Sequence, residues 1–320
     1  MLLSFVIPCY RSEETIEKVI EEIIETVKER KEYSYEIICV NDCSPDHVYA
    51  ILQRLAENNR EIKVINFAKN MGKHAALLAV YAVVQGEIVV SLDDDYQCPV
   101  YELWKLIDVL ERDECDIATA SYEKKMEAAW KNMGSLFNRK VTDLLIDRPH
   151  GMYLENFGAM KLFVAKELIK YKNPYPYLEG LILRTTNRVA SIKMKERERL
   201  DHNVTGYTFR KSVSLFLNGF TAFSVKPLRI ATFCGMMIAF IGFIWAIYLV
   251  IRKIQCPTIV MGYTSITVIL LILGGLILVS QGMLGEYIGR IYICLNESPQ
   301  YVIRNTINID EKLLHNSSSK

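Results

Sequence analysis

The stretch Val89-Val90-Ser91-Leu92-Asp93-Asp94-Asp95-Tyr96-Gln97 decides how this chain folds, because an apolar run ends there in three adjacent carboxylates. Side chains alternate along a strand, so Asp93 and Asp95 point to one side and Asp94 points to the other. Carboxylates this close repel each other unless a cation lies between them. A Mg²⁺ or Mn²⁺ ion, held by one or two carboxylates and completed by phosphate oxygens, is such a cation. The alternative is a solvated acidic turn, and the rest of the chain distinguishes the two.

Strand and helix patterns alternate up to this stretch. Four apolar runs typical of buried strands are separated by three helix patterns. The runs cover residues 2–7, 35–40, 63–67 and 86–92, and the helix patterns cover residues 13–31, a segment that ends near residue 58, and residues 74–84. This order predicts right-handed crossovers, an α/β fold and a mainly parallel sheet.

Each predicted strand ends in residues that suit ligand binding. Tyr10 follows the first strand, Asp42 the second, Asn70 and Gly72 the third, and the acid triplet the fourth. Ligands of parallel α/β sheets bind beyond the carboxyl ends of the strands, so these residues are expected to meet in one crevice. The chain has no G-x-G-x-x-G after its first strand and no G-x-x-x-x-G-K-[ST], which excludes a dinucleotide fingerprint and a P-loop.

The composition indicates which binding partners and which cellular compartment to expect. Lysine and arginine total 38 against 37 aspartate and glutamate residues, and a net charge of +1 gives no global reason to expect nucleic acid. The eight cysteines lack C-x-x-C and His-paired spacing, and most lie in or beside apolar runs, as free buried thiols do. We therefore expect a reducing compartment for the soluble part, no zinc site and no nucleic-acid partner.

Two long apolar runs predict a transmembrane hairpin. Residues 230–251 and 259–284 contain no charged residue, and at ~1.5 Å per residue each run is long enough to cross a hydrocarbon layer of ~30 Å. Two buried core helices are the alternative, but neither run has a polar face. Residues 252–258 form a tight turn between the runs, so both termini are expected on the same side of the membrane.

The residues around the hairpin complete the division into domains. Residues 1–209 form the α/β domain, residues 210–227 an amphipathic helix in the headgroup layer, residues 228–284 the hairpin and residues 285–320 a C-terminal tail. The amphipathic helix combines phenylalanines with basic residues that suit anionic lipid. Basic residues at both ends of the hairpin leave its orientation undecided. The free cysteines favour a cytoplasmic α/β domain and cytoplasmic termini.

Taken in order, the strand-end motifs resemble those of family 2 glycosyltransferases with the GT-A fold. More narrowly, the chain is similar to the polyprenyl-phosphate glycosyltransferases, which include dolichyl-phosphate mannose synthase and the bacterial undecaprenyl-phosphate sugar transferases. The resemblance covers nearly the whole chain. The segments that carry it are Ile7-Pro8-Cys9-Tyr10, Val40-Asn41-Asp42-Cys43-Ser44-Pro45-Asp46, Asn70-Met71-Gly72-Lys73, Asp93-Asp94-Asp95-Tyr96-Gln97, Ser224-Val225-Lys226-Pro227-Leu228-Arg229, Gly285-Glu286-Tyr287-Ile288-Gly289-Arg290-Ile291-Tyr292 and Ser298-Pro299-Gln300-Tyr301-Val302.

This resemblance implies a GT-A nucleotide-sugar-binding domain that transfers one sugar, with inversion, from a nucleotide-sugar to polyprenyl phosphate. A UDP-linked donor, an undecaprenyl phosphate acceptor and a Mg²⁺ or Mn²⁺ cofactor are expected. Nucleotide-sugars are made in the cytosol, so the resemblance also favours an integral protein of the inner or plasma membrane with a cytoplasmic catalytic domain.

The resemblance assigns the nucleotide side of the site residue by residue. Pro8 and Tyr10 would flank the base, and Asp42 would hydrogen-bond it; Asn70 and Gly72 belong to the same side. Considered alone, Tyr10 is equally well a core aromatic residue, and Asp42 equally well a cap of the helix that follows it.

The resemblance gives the three acids of the triplet different roles. Asp93 and Asp95, with Gln97 beside them, would act in catalysis and hold the metal and the sugar diphosphate. Asp94 is assigned to the nucleotide side, or is only a structural neighbour, because it faces away from the other two.

The acceptor side departs from the family pattern. Asn156 and Lys161 stand where the family often has an Asp and the Arg of an aromatic-Arg pair. The acidic neighbour Glu155 is therefore the candidate catalytic residue in place of that Asp, and Lys161 is a candidate for binding the acceptor phosphate. Arg139, where the family places phosphate-binding arginines, and Arg199 complete that group, although Arg139 is equally well a solvent-facing helix residue. A lipid monophosphate with a second pKa near ~6 needs cations more than a base, so no general base is assigned.

Two other functions stay open. The chain is alternatively a family 2 transferase that extends a glycan or glycolipid, although such synthases usually have more spans and a Q-x-x-R-W motif that this chain lacks. A catalytically silent membrane scaffold is an alternative of another class, and the intact acid triplet counts against it. Gly274-Gly275 in the second span permits close helix packing, and so a homo-oligomer.

Overall fold

The computed structural model describes residues 1–122, 156–174, 176–195, 197, 263–296 and 299–310, with single positions between 233 and 251. It forms two compact units. The first comprises Met1–Asp143, Asp147–Tyr207 and Ser298–Lys320, and the second comprises Leu144–Ile146 and Thr208–Glu297. The predicted site residues Arg139, Glu155 and Arg199 and the predicted amphipathic helix lie outside the described residues.

The first unit begins with the predicted alternation of strands and helices. Its first seven elements are β1 Leu2–Cys9, α1 Ile16–Lys28, β2 Ser34–Asn41, α2 Val48–Asn58, β3 Ile62–Phe67, α3 Lys73–Tyr81 and β4 Ile88–Ser91. All seven predicted elements are confirmed, and the bounds differ by a few residues. The bounds differ because apolar periodicity shows which residues face the core but not where the helical hydrogen bonds begin and end. Turns beside a helix can continue its apolar face.

The later elements of this unit complete the sheet and its helical layers. A 3₁₀ turn at Val100–Glu102 leads into α4 Leu103–Glu111, and the elements that follow are β5 Ile117–Tyr122, β6 Gly158–Lys161, α5 Leu162–Leu168, α6 Leu178–Thr185, β7 Val189–Met194 and β8 Ile303–Ile307.

Among the described residues, eight strands form one mixed sheet at the centre of the unit, in the order β7-β5-β6-β4-β1-β2-β3-β8. Strands β1 to β4 are parallel, as predicted, whereas β6 and β8 run antiparallel to their neighbours. The carboxyl ends of strands β1 to β4 therefore all lie on the same side of the sheet. We call this side, where the strands end, the carboxyl edge. In the pairing of β4 with β6, Gly158 lies opposite Ser91 at this edge, and Lys161 lies opposite Ile88 at the other end.

Helices cover both faces of the sheet and bury two apolar clusters. Along β1, Phe5 and Ile7 belong to the cluster that includes α1, α2 and α4, whereas Val6 belongs to the cluster that includes α3, α5 and α6. Strands buried on both faces have continuous apolar sequences, which is why these strands are recognisable in the sequence. Cys9 and Cys39 are buried free thiols, in agreement with the expectation from cysteine spacing.

The C-terminal segment returns to this sheet. Strand β8 pairs with β3, and the side-chain amide of Asn308 donates to the carbonyls of Ala56 and Ile62 at 2.7 and 2.9 Å. The predicted tail, residues 285–320, therefore contributes an edge strand that the sequence interpretation did not identify.

The second unit contains α7, Tyr263–Leu295, a helix of 33 residues. It starts inside the predicted second span and continues beyond residue 284. Apolar side chains are exposed along it, among them Leu270 and Leu278. Judged by length, hydropathy and charge together, no helix in the described part of the chain qualifies as a membrane span.

A buried ion pair joins β2 and β3. Glu36 is 1% exposed, and its carboxylate lies 2.5 Å from Lys63 Nζ. The second carboxylate oxygen accepts hydrogen bonds from Ser4 Oγ at 2.5 Å and from the Gln85 N–H at 2.7 Å. Every partner of this carboxylate comes from a different segment, so the pair connects three strands and the turn before β4.

We expect Lys63→Met to destabilise the first unit by about 3 to 5 kcal/mol, because it leaves a buried carboxylate without its cation. Adding Glu36→Gln should recover most of that loss, since the amide oxygen at position 36 still accepts from Ser4 and Gln85. Denaturant unfolding of the full chain in detergent measures both variants. Equal losses in the single and double variants would show that the pair has no such role.

Candidate active site

Four loops at the carboxyl edge each contain one residue with left-handed backbone. These residues are Arg11 (φ 58°), Cys43 (φ 50°), Gly72 (φ 85°) and Tyr96 (φ 62°), and they follow β1, β2, β3 and β4 in turn. Residues other than glycine adopt this conformation rarely, and such residues cluster at binding and catalytic sites. The loops therefore turn sharply at the place where the sequence predicts the crevice.

Asp42 connects the loop after β2 to the loop after β3. Its two carboxylate oxygens accept the N–H groups of Met71 and Gly72 at 2.7 and 2.8 Å, and its carbonyl accepts from Asn70 Nδ2 at 3.1 Å. The side chain is 4% exposed, and burial raises its pKa, with the two amide hydrogen bonds acting in the opposite direction. The structure thus brings Asp42, Asn70 and Gly72 together, and Asp42 does not cap α2.

Asp93 is held between a cation and an amide. Lys73 Nζ contacts one of its carboxylate oxygens, and Asn156 Nδ2 donates to the other. Lys73 is the first residue of α3, and Asn156 precedes β6. Asn156 thus lies at the site as a neutral donor, at the position where the family pattern has an acid.

Asp94 contacts the opposite side of the loop. Its carboxylate accepts the N–H of Tyr10 at 2.9 Å, and its carbonyl accepts from Thr15 Oγ1 at 2.5 Å. Burial raises the pKa of Asp94 to about 6, and the charges of Asp93 and Asp95 add to the rise. The predicted alternation is confirmed for this pair, since Asp93 contacts α3 on one face of the sheet and Asp94 contacts the start of α1 on the other.

The turn that contains Asp95 and Gln97 is held by Arg197. The Gln97 N–H donates to Asp95 Oδ1 at 3.2 Å, and the Gln97 carbonyl accepts the Arg197 N–H at 3.2 Å. The Arg197 guanidinium makes two hydrogen bonds of 2.6 Å to Glu22 on α1 and lies over the ring of Tyr96 at 4.7 Å. A bidentate ion pair with a cation–π contact keeps this turn in place.

Pro8 and Tyr10 lie at the end of β1, beside this turn. Pro8 is opposite Val40 in the sheet. Tyr10 is 44% exposed, and the Arg11 guanidinium lies 5.5 Å from its ring. The alternative that Tyr10 is a core aromatic residue is therefore wrong, and its ring is accessible for stacking.

The structure does not bring Lys161 to the acids. Lys161 lies at the far end of β6, where its ammonium contacts Asp113 and lies 3.5 Å from Asp116. This position corrects the expectation that Lys161 binds the acceptor phosphate. The correction follows from strand direction, because β6 runs antiparallel to β4 and carries its last residue away from the carboxyl edge.

Three residues at the site were not among the candidates from sequence: Lys73, Asn156 and Arg197. Lys73 belongs to the segment Asn70-Met71-Gly72-Lys73, so the motif contained the signal, but its partner Asp93 is 20 residues away. Arg197 is 100 residues from Gln97, and no local pattern distinguishes it from the neighbouring charges.

The described residues fit only one kind of metal site. They contain no group of three or more His, Cys, Asp or Glu side chains that could enclose a metal ion, and both oxygens of Asp93 already have donors. Mg²⁺ and Mn²⁺ are commonly held by one or two carboxylates and completed by phosphate oxygens. A cation beside the acid triplet would therefore need most of its ligands from a bound diphosphate.

Known proteins resemble this chain along nearly its whole length. The family model described as Glycosyl transferase family 2 matches residues 4–168, and the GtrB C-terminal hairpin model matches residues 226–291. A bactoprenol glucosyl transferase of Shigella phage SfV is 30% identical over 95% of this chain and 99% of that protein. The undecaprenyl-phosphate 4-deoxy-4-formamido-L-arabinose transferase of Proteus mirabilis is 27% identical over 96% of this chain and 94% of that protein.

A solved structure shares the fold. Glucosyl-3-phosphoglycerate synthase from Mycobacterium tuberculosis, in complex with Mn²⁺, UDP-glucose and phosphoglyceric acid, matches with a TM-score of 0.52 at 18% identity. The match covers 69% of this chain and 77% of that chain.

We expect Asp94→Asn to stabilise the protein above pH 6 by about 1 to 3 kcal/mol. The folded state raises the pKa of Asp94 from its ordinary value of 3.8 to about 6. Folding therefore takes up a proton between these pH values, and the stability of the unmutated protein falls as pH rises through them. Asn keeps an acceptor for the Tyr10 N–H and removes this dependence.

Unfolding midpoints between pH 4 and 8 measure the effect, with Asp113→Asn as the control. The contact with Lys161 lowers the pKa of Asp113, so replacing it should give a difference of the opposite sign. Parallel pH profiles of Asp94→Asn and the unmutated protein would contradict the assignment.

Proposed function

The chain belongs to glycosyl transferase family 2, and from that premise we propose that it transfers one sugar from a nucleotide-sugar to a polyprenyl phosphate at a membrane surface. The observation that carries the proposal is the position of the acid triplet. Its three carboxylates lie at the carboxyl edge with the partners described above, in a chain similar along nearly its whole length to bactoprenol and undecaprenyl-phosphate sugar transferases.

The donor binds at the loops after β1, β2 and β3. The accessible ring of Tyr10 supplies a surface on which a base stacks, and Pro8 lies beside it. Asp42 holds the main chain of Met71 and Gly72, and so shapes the loop that the nucleotide contacts. A UDP-linked donor is the version of this proposal that the family resemblance favours.

The diphosphate lies beside the acid triplet and Lys73. Asp95, with Asp93 beside it, would hold Mg²⁺ or Mn²⁺, which when bound neutralises the charge on the departing diphosphate. The ammonium of Lys73 lies against Asp93 and adds positive charge to the same place. Arg197 keeps the turn of Asp95 and Gln97 in position through Glu22, so little rearrangement is needed when the leaving group develops charge.

The phosphate group of the acceptor supplies the nucleophile. A phosphate monoester has a second pKa of about 6 and is largely ionised at neutral pH, so it needs little help from a base. One of its oxygens bonds to the anomeric carbon from the face opposite the donor diphosphate. The bond from that carbon to the diphosphate oxygen breaks, and the electron pair leaves on the nucleoside diphosphate. We assign binding of the acceptor phosphate to Arg139 and Arg199, and we propose Glu155 as the catalytic acidic residue of the acceptor side.

The hairpin anchors the enzyme in the membrane that contains its acceptor. The hairpin family model matches residues 226–291. The two charge-free runs, residues 230–251 and 259–284, are each long enough at ~1.5 Å per residue to cross a hydrocarbon layer of ~30 Å. On α7, Leu270 and Leu278 are 63% and 69% exposed. Exposure of these apolar side chains is unfavourable in water but not in lipid. We place the catalytic unit and both termini in the cytoplasm.

We expect Asp95→Asn to reduce sugar transfer at least about 100-fold, since it removes the charge that holds the metal and diphosphate. The assay uses the full chain in detergent, a panel of nucleotide-sugars and a short polyprenyl phosphate. Asp113→Asn, an exposed acid at the other end of the sheet, should keep normal transfer. Normal transfer by Asp95→Asn would refute the metal assignment. No transfer by the unmutated chain with any donor would refute the proposed function.

We expect Cys256, between the two apolar runs, to react with a membrane-impermeant maleimide in intact spheroplasts of a bacterial host. Cys43, in the catalytic unit, should react only after lysis. The Cys256→Ser variant is the control, because the label that it loses is the label on Cys256. Labelling of Cys256 only after lysis would contradict the proposed topology.

A further inference from the structure

Three asparagine side chains form a row across neighbouring strands near the nucleotide side. Asn41 of β2 lies opposite Asn66 of β3, and Asn66 lies opposite Asn305 of β8. Asn41 Nδ2 donates to Asn66 Oδ1 at 2.9 Å, and Asn66 Nδ2 donates to Asn305 Oδ1 at 2.8 Å. Each amide thus fixes the orientation of the next.

One end of this asparagine row holds the loop after β2. Asn41 directly precedes Asp42, and Asn41 Oδ1 accepts the N–H of Ser44 at 3.1 Å. Ser44 Oγ in turn accepts the N–H of Arg11, next to Tyr10, at 2.8 Å. The row therefore reaches two of the four left-handed turns at the carboxyl edge.

The other end of the row comes from the C-terminal segment. Asn305 Nδ2 donates to the hydroxyl of Tyr49 on α2 at 2.5 Å, so both functional groups of its amide have partners. Asn305 is 239 residues from Asn66 in sequence. Of the three asparagines, it is the one that follows the hairpin.

The row is buried where it meets the site. Asn41 is 4% exposed and Asn66 is 6% exposed. A buried amide that loses its partner turns or draws in water, because an unsatisfied buried donor is unfavourable. Removing the Asn305 acceptor therefore releases Asn66, and through it Asn41 and the loop of Asp42.

Other contacts hold β8 in place without Asn305. The Ala68 N–H donates to the Val302 carbonyl at 2.9 Å, and the ring of Tyr301 stacks on Phe67 at 5.5 Å. The side chain of Gln300 donates to the carbonyls of Tyr171 and Asn173 at 2.8 and 2.7 Å. A change at Asn305 alone is thus expected to leave β8 paired with β3.

We propose that Asn305 is a positioning residue for the donor nucleotide. It acts through the asparagine row by setting the geometry of the loop that contains Asp42. The strand that follows the hairpin thereby completes the nucleotide side of the site. This inference rests on the proposed function for its assay of sugar transfer, but nucleotide binding tests it separately.

The test compares substitutions on β8 in the full chain in detergent. Asn305→Ala should raise the KM for the nucleotide-sugar about fivefold to tenfold and leave kcat within about twofold, because the loop is displaced while the acids are not. The Kd for UDP or GDP with Mg²⁺, measured by calorimetry, should rise by a similar factor. Asn305→Asp keeps an acceptor for Asn66 and for the Tyr49 hydroxyl, and should stay near the unmutated values.

Arg304→Ala, an exposed neighbour on the same strand, is the matched control and should change neither constant. The inference is overturned if Asn305→Ala matches Arg304→Ala in KM and Kd. It is also overturned if Asn305→Ala lowers kcat and the unfolding midpoint together, or if the unmutated chain binds neither UDP nor GDP. Nucleotide binding without sugar transfer would refute the proposed function, and the Kd values would still decide the role of Asn305.

Discussion

Mutual repulsion among three adjacent carboxylates is the constraint on which the site depends. Adjacent carboxylates at a partly buried strand end repel each other strongly if their side chains lie in the same place. The fold reduces this repulsion by directing Asp93 and Asp94 to opposite faces of the sheet and by giving each of the three acids its own donor. The donors are Lys73 and Asn156 for Asp93, the Tyr10 N–H for Asp94 and the Gln97 N–H for Asp95.

The same constraint explains the shape of the surrounding loops. The N–H groups of Tyr10, Met71 and Gly72 reach carboxylates of neighbouring loops from the turns that follow β1 and β3. Four left-handed residues make the turns after β1 to β4, and the conformation costs roughly 1 kcal/mol or more for a residue with a side chain. The buried strands below hold the loops in this conformation. A site already strained and bonded in this way is suited to stabilise a leaving diphosphate with little reorganisation.

Sequence patterns predicted the seven leading elements and the location of Tyr10, Asp42 and the acid triplet at one edge of the sheet, because parallel strands end at the same edge. They failed where strand direction or a distant partner decides the outcome. Lys161 lies at the far end because β6 is antiparallel to β4. Arg197 gains its role from Glu22, 175 residues away, and no periodicity encodes such a pair.

The sequence by itself determined the alternation of strands and helices, the placement of ligand-binding residue types at the ends of the strands, and the family. Each of these depends on local periodicity or on short motifs, which single segments contain. Only the tertiary structure decided which donors neutralise the acids, that Asn156 contacts Asp93, and that β8 closes the sheet beside β3. Those contacts join segments far apart in the chain, and their geometry exists only after the sheet has brought the segments together.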